Sequence, residues 1–281
     1  MSEKRGSDRH EQEVGAGESR EQLVLLEKRG RVAVVTLNRP SRYNAFDEVT
    51  LEVMAKRFVS VSRDPAIRAM VLTGTGNAFC TGGDLKSVTR PGNETAGDRF
   101  YAYASVFHQC VEELRTMPKP VIGAINGPAA GGGLSLVLAC DLRVMARSTF
   151  LQQSYTSNGL SIDGGGTFSL PRLVGLARAL EIALLDERIS SARALELGLV
   201  TRLADDEKVM DDSLSLALKL AAGPTETFAR VKRLLVESFD TPLERQLEKE
   251  RQQLAESADS AVGREGLAAF VEKRQPRFDA L

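Results

Sequence analysis

The run from Pro120 to Gly133, PVIGAINGPAAGGG, constrains this chain more than any other segment. A short apolar stretch ends in a turn, and three glycines, Gly131-Gly132-Gly133, open the apolar run 134–140, which reads as a helix. The first N–H groups of a helix have no partner within it and carry partial positive charge. Glycine lets a ligand approach that backbone closely. Such a device holds an anion, either a phosphate or an oxyanion formed during reaction. The chain has no GKS or GKT phosphate loop and no G-x-G-x-x-G dinucleotide turn, which favours the oxyanion. A second unit sharpens this reading. Phe79-Cys80-Thr81-Gly82-Gly83-Asp84-Leu85-Lys86 follows an apolar strand predicted at 67–73. Two strand-and-turn units can each offer one backbone N–H to the same oxygen.

The pattern around these units alternates. Strands are predicted at 23–26 and Val32–Leu37, around the turn Lys28-Arg29-Gly30-Arg31. Asp47 caps a helix whose apolar positions are Leu51, Val53, Met54, Phe58 and Val61. A polar loop at 87–97 precedes a long helix that stops near Thr116, before Pro118-Lys119-Pro120. Further strands are expected at Val121–Ile125 and 142–145. Strand and helix alternate throughout, which is an α/β pattern. From Leu176 onward the chain reads as almost wholly helical, with segments at 205–222, 224–239, 242–257 and 263–273.

A chain of 281 residues can bury roughly three quarters of its unfolded surface. A formal net charge of −1 supplies no field for nucleic acid, and no apolar run is long enough to span a bilayer. Residues 1–21 are polar and carry acidic groups, which fits neither a secretory signal nor a transit peptide; they read as a disordered tail. Cys80, Cys110 and Cys140 lack metal-ligand spacing, and the chain's histidines are His10 and His108, so no zinc site is expected. The cysteines read as buried free thiols of a cytoplasmic protein. His108, beside Phe107 and at helical spacing from Ala104 and Val111, reads as a core or interface residue.

Several segments together resemble one family. Leu37-Asn38-Arg39-Pro40 with Asn44-Ala45, 79–85, 124–133, Gly164-Gly165-Gly166-Thr167 with 170–175, and 194–200 are similar, in that order, to the enoyl-CoA hydratase/isomerase (crotonase) family. The resemblance runs from about residue 22 to the C-terminus. It implies a crotonase-like α/β spiral of ββα units over 22–203 and a C-terminal helical oligomerisation domain over 204–281, assembled as a trimer or hexamer. It also implies an acyl-CoA thioester substrate, with coenzyme A part of the substrate and no separate cofactor. The thioester oxygen would sit between the amides of Gly83 and Gly132. The adenine would lie near Thr81, Gly83, Asp84 and Leu85, with Arg39, Lys86 and Lys273 as candidates for the phosphates.

The same resemblance bears on the reaction. Hydratases of the family use two glutamates; the corresponding positions here are Ser135 and Tyr155. A serine hydroxyl and a phenol are poor bases near neutral pH. Ser135 is expected to hold a water or to bond the backbone four residues back, and Tyr155 to line the acyl pocket. Asp163, just before Gly164-Gly165-Gly166, is the remaining acid. It resembles the catalytic aspartate of the family's double-bond isomerases and of the phenylacetate-pathway isomerase acting on a ring epoxide. The latter subgroup fits best, including its tail at 243–248, 264–266 and 270–274. A desolvated pocket would raise the pKa of Asp163 toward the working pH. One alternative is an enoyl-CoA hydratase-like enzyme, or an aryl-CoA dehalogenase or hydrolase with Asp163 as nucleophile; for the dehalogenases the departures are specific. Those enzymes use a histidine on the helix before Pro118-Lys119-Pro120, a position assigned here to Arg99, and a tryptophan where this chain has Tyr155. Another alternative is an inactive acyl-CoA-binding homologue, against which stand Asp163 and both glycine turns.

Overall fold

The computed structural model describes residues 20–280. The tail expected over 1–21 lies outside these residues except for Arg20 and Glu21, which open a 3-10 turn, Arg20–Leu23. β1 (Val24–Arg29) and β2 (Val32–Leu37) form an antiparallel hairpin. α1 (Glu48–Arg63) then crosses to β3 (Ala69–Gly74), which pairs with β2 in parallel. Asp47 caps α1 by accepting from the Thr50 N–H at 2.9 Å. The helix buries Leu51, Val53, Met54, Phe58 and Val61, the positions its periodicity predicts.

After β3 the chain passes the second glycine turn, a single turn of helix α2 (Leu85–Val88), and the long α3 (Ala96–Thr116). Thr95 and Asp98 make a reciprocal capping box at the start of α3. The loop before it is pinned from the helix: Arg99 donates from Nη1 to the Val88 carbonyl at 2.9 Å and also bonds the Arg90 carbonyl. There follow β4 (Val121–Ile125), β5 (Ala129–Ala130), α4 (Gly132–Ala139), β6 (Leu142–Ala146) and β7 (Phe150–Gln152). The chain continues through α5 (Gly166–Val174), α6 (Leu176–Leu185), β8 (Ile189–Ser190), α7 (Ser191–Glu196) and β9 (Arg202–Ala204). Four helices close it: α8 (Val209–Ala221), α9 (Thr225–Glu237), α10 (Leu243–Asp259) and α11 (Ala261–Val271).

The main sheet has the order β1-β2-β3-β4-β6-β9, parallel from β2 onward. Every residue of β3 and β4 is buried, as a parallel sheet covered on both faces requires. Alternate residues separate the two faces. Ala33, Val35, Met70, Leu72, Val121 and Ile125 pack with side chains of α1, α3 and α4. Val34, Val71, Ala124 and Val144 pack against Val209, Ala217 and Ala221 of α8. A smaller sheet, β5-β7-β8, lies beyond the first glycine unit.

The structure corrects the reading of everything after Leu176 as nearly all helix: β8 and β9 interrupt it, and β9 is the edge strand of the main sheet. Two- and three-residue strands are too short to show an alternating pattern. Among the described residues no helix is long and apolar enough to cross a membrane.

Candidate active site

The sheet brings the two glycine turns side by side. The Phe46 N–H donates to the Gly82 carbonyl at 2.9 Å, the Asp84 N–H donates to the Phe46 carbonyl at 2.8 Å, and the Ala130 N–H donates to the Cys80 carbonyl at 3.0 Å. Gly82 has φ +92°, and a Cβ there would lie 2.8 Å from the Gly132 nitrogen, so the two backbones touch at a point that only glycine fits. Neighbouring amides are engaged: Gly82 N–H on Cys80 Sγ and Gly131 N–H on the Gln152 carbonyl. Among the described residues no hydrogen bond uses the N–H of Gly83 or Gly132. Both glycines line a cavity of about 420 Å³, and Asp163 lines it too.

Asp163 is set by contacts from two helices. On α4, Ser135 is buried and its Oγ donates to the Asp163 backbone carbonyl at 2.7 Å. This differs from the expected bond to the backbone four residues back, and Ser135 does not line the cavity. On α3, Phe107 stacks on Phe46, with ring centroids 4.7 Å apart, and lies against Gly164 (φ +63°), where a Cβ would meet Phe107 Cε1 at 2.3 Å. The next residue, His108, places Nε2 2.5 Å from Asp163 Oδ1. His108 is therefore neither a core nor a buried histidine: its side chain is 57% exposed, and that of Asp163 is 37% exposed. The acid is thus part-buried within the single chain. Arg99, assigned to the histidine position of the dehalogenases, is buried and occupied with loop carbonyls, whereas the histidine of that same helix that faces the acid is His108. The periodicity of α3 could not reveal this, because the contact joins residues 55 apart in sequence.

Tyr155 lines the cavity as expected. Burial and the charge of Asp163 hold its phenol well above the usual range, opposed by hydrogen bonding from Ser135 and the Asp163 amide. The two side chains at the hydratase acid positions are thus a hydroxyl and a protonated phenol packed beside Asp163. Burial raises the thiols of Cys80, Cys110 and Cys140 to about 12, which removes cysteine as a nucleophile. No cluster of three or more His, Cys, Asp or Glu suited to a metal occurs among the described residues.

Of the residues expected near coenzyme A, Thr81 and Leu85 line the cavity. Asp84 and Arg39 do not, because they pair with each other: Arg39 Nη2 lies 3.2 Å from Asp84 Oδ2 and 3.1 Å from Asp47 Oδ2. The Arg39 guanidinium thus faces two carboxylates. Lys86 is exposed at the start of α2. Lys273 is exposed just past α11, with φ +54°, and is outside the cavity wall. The sequence reading missed most of that wall, which carries Phe46, Phe100, Tyr101, Tyr103 and Phe107 besides Tyr155.

A mostly parallel sheet, two abutting glycine turns and an acid at a shared cavity define a class, and comparison with known proteins agrees. Residues 27–280 match the enoyl-CoA hydratase/isomerase family. The chain belongs to that family, and its fold is crotonase-like. It is similar to the 1,2-epoxyphenylacetyl-CoA isomerase of Escherichia coli (strain K12), 37% identical over 92% of this chain and 98% of that one. It is also similar to 4-chlorobenzoyl coenzyme A dehalogenase-2 of an Arthrobacter species, at 34% identity over 89% of this chain and 91% of that one. Among solved structures, an enoyl-CoA hydratase from Polaromonas sp. JS666 superposes with a TM-score of 0.86 at 35% identity, covering 90% of this chain and 98% of that one.

Proposed function

We propose that the chain is an acyl-CoA isomerase that holds a thioester enolate with the amides of Gly83 and Gly132 and moves a proton with Asp163. One observation carries this reading: among the described residues lining the cavity, Asp163 is the one carboxylate, and it stands beside the abutting glycine turns. With a 3-enoyl thioester, Asp163 takes a proton from the α carbon. The electron pair passes into the thioester carbonyl as an enolate conjugated with the double bond. The two amides stabilise the oxygen, and each such donor is worth roughly 10²–10³ in turnover. Asp163 then returns the proton to the γ carbon, giving the conjugated 2-enoyl thioester. No water is added, so a single acid suffices. That agrees with a serine and a tyrosine at the positions of the hydratase acids. The six aromatic rings on the cavity wall support a ring-bearing acyl group, such as the substrate in the name of the Escherichia coli relative.

The His108–Asp163 contact favours a second reading. In it, Asp163 displaces halide from an aryl carbon as nucleophile, and water then hydrolyses the aryl ester, which frees the hydroxyaryl thioester and restores Asp163.

A panel of trans-3-hexenoyl-CoA, 1,2-epoxyphenylacetyl-CoA, crotonyl-CoA and 4-chlorobenzoyl-CoA separates these readings. Wild type is expected to isomerise the first two and to hydrate crotonyl-CoA poorly. Asp163→Asn should lose isomerisation by roughly 10²–10⁴-fold while still binding the thioesters. Near-wild-type turnover by Asp163→Asn sinks the proposal. Chloride release from 4-chlorobenzoyl-CoA without isomerisation of either alkene or epoxide puts the second reading first.

A further inference from the structure

We infer that His108 is a positioning residue that divides the two oxygens of Asp163, holding Oδ1 and leaving Oδ2 to move the proton. The inference rests on the reading of Asp163 as the proton-transferring acid. A carboxylate can only accept hydrogen bonds, so at 2.5 Å from Asp163 Oδ1 the His108 Nε2 carries the hydrogen and donates it. An oxygen so engaged is the weaker base of the two. The other oxygen keeps its lone pairs for the substrate. A lone acid that must serve two carbons of one substrate needs this constraint, because a freely rotating carboxylate presents either oxygen in any direction. The backbone of the acid is already held by Ser135 Oγ on the Asp163 carbonyl at 2.7 Å, and Phe107 fills the space at Gly164. These contacts fix the main chain and leave the side-chain rotation of the carboxyl undetermined. The His108 bond sets it. Consecutive residues of α3, Phe107 and His108, meet consecutive residues of the loop, Gly164 and Asp163, so the register of one helix against one loop delivers both contacts.

The imidazole is more than half exposed, so its removal opens no hole in the core. That allows a clean comparison of two variants. His108→Gln keeps an N–H donor at nearly the reach of Nε2 and cannot titrate near neutral pH. His108→Phe keeps the ring volume and removes the donor. With trans-3-hexenoyl-CoA as probe and the absorbance of the conjugated product as readout, His108→Phe should lower kcat by roughly tenfold to a hundredfold, the scale of a misplaced catalytic group. KM should stay within about twofold, because the histidine is outside the cavity wall. His108→Gln should recover most of the lost kcat. An unchanged kcat in His108→Phe overturns the inference. So does a His108→Gln variant as slow as His108→Phe, which would assign the effect to the imidazole itself rather than to the donated bond. A parallel measurement on Asp163→Asn keeps the two levels apart. If that variant isomerises, the functional reading has failed; if it is dead while His108→Phe is normal, only the role of His108 has.

Discussion

Gly82 cannot carry a side chain without parting the two turns of the site. Its φ of +92° strains any L residue, and the added methyl would press on the Gly132 nitrogen. Gly82→Ala is expected to cost about 1–3 kcal/mol of stability, read from urea unfolding. It should also slow isomerisation more than the loss of a single amide donor does, because both donors shift together. Wild-type turnover in that variant would mean that the turns are not held by their contact. Ser135 gives a milder case. Ser135→Ala leaves the Asp163 carbonyl without its partner, for about 1–3 kcal/mol, and should lower kcat with little change in KM. These residues mark the boundary of what the sequence made legible. Gly82, Gly83 and the Gly131–Gly133 triplet stood out because glycine after an apolar strand has few other uses. Ser135 and His108 did not, because each acts through a partner on another element, 28 and 55 residues away. A serine in an apolar helix and a histidine beside a phenylalanine look the same with or without such a partner.

At the scale of elements, the arginine after β2 joins three parts of the fold. Arg39 reaches the cap of α1 at Asp47 and the cap of α2 at Asp84, so the glycine turn at 82–83 is tied to the first crossover. All three side chains are less than a third exposed. Removing the cation leaves two part-buried carboxylates facing each other. Arg39→Met is expected to destabilise by about 1–3 kcal/mol, below the loss seen for fully buried pairs, with a lower urea midpoint. An unchanged midpoint with a many-fold rise in KM for the CoA thioester would return Arg39 to the phosphate. The sequence pointed to the residue but not to these two carboxylates, since a spare arginine and a paired one differ only in what the fold brings near. The elements themselves divide by length. α1 and β4 were plain from periodicity and capping. The short strands β8 and β9 were not, because their pairing with β7 and β6, rather than their own composition, makes them strands.

At the scale of the whole molecule, the described residues leave apolar surface exposed. Leu176, Leu180 and Leu184 form one exposed stripe on α6, and Leu243, Leu247 and Leu254 another on α10. Stripes of this kind mark contact surfaces, and we propose that they lie within the trimer or hexamer that the family resemblance implies. Light scattering should give a mass three or six times that of the chain, and Leu180→Glu with Leu184→Glu should lower it; a monomeric wild type would exclude this assembly. The C-terminal end also has a pH dependence. Glu265 is drawn down from 4.5 to about 2, first by its side-chain bonds with Arg274 and then by the Arg277 N–H. A carboxyl whose folded pKa is depressed stabilises above its unfolded value, so this docking is complete above about pH 4.5 and fades as the pH falls toward 2. Hydrogen exchange across 265–277 should accelerate over that window in wild type, and Glu265→Gln should remove the dependence. The general α/β order was readable from residue 23 onward, but not which helices close the sheet, because α8 looks like its neighbours until it is seen against β3 and β4. The helix that begins at Gly132 also carries Ser135, one turn on, so the amide proposed to hold the thioester oxygen and the tether of Asp163 ride on the same rigid rod. On the proposed mechanism, that rod gauges the span from carbonyl to reacting carbon, and an unsaturation set farther along the acyl chain should not be isomerised.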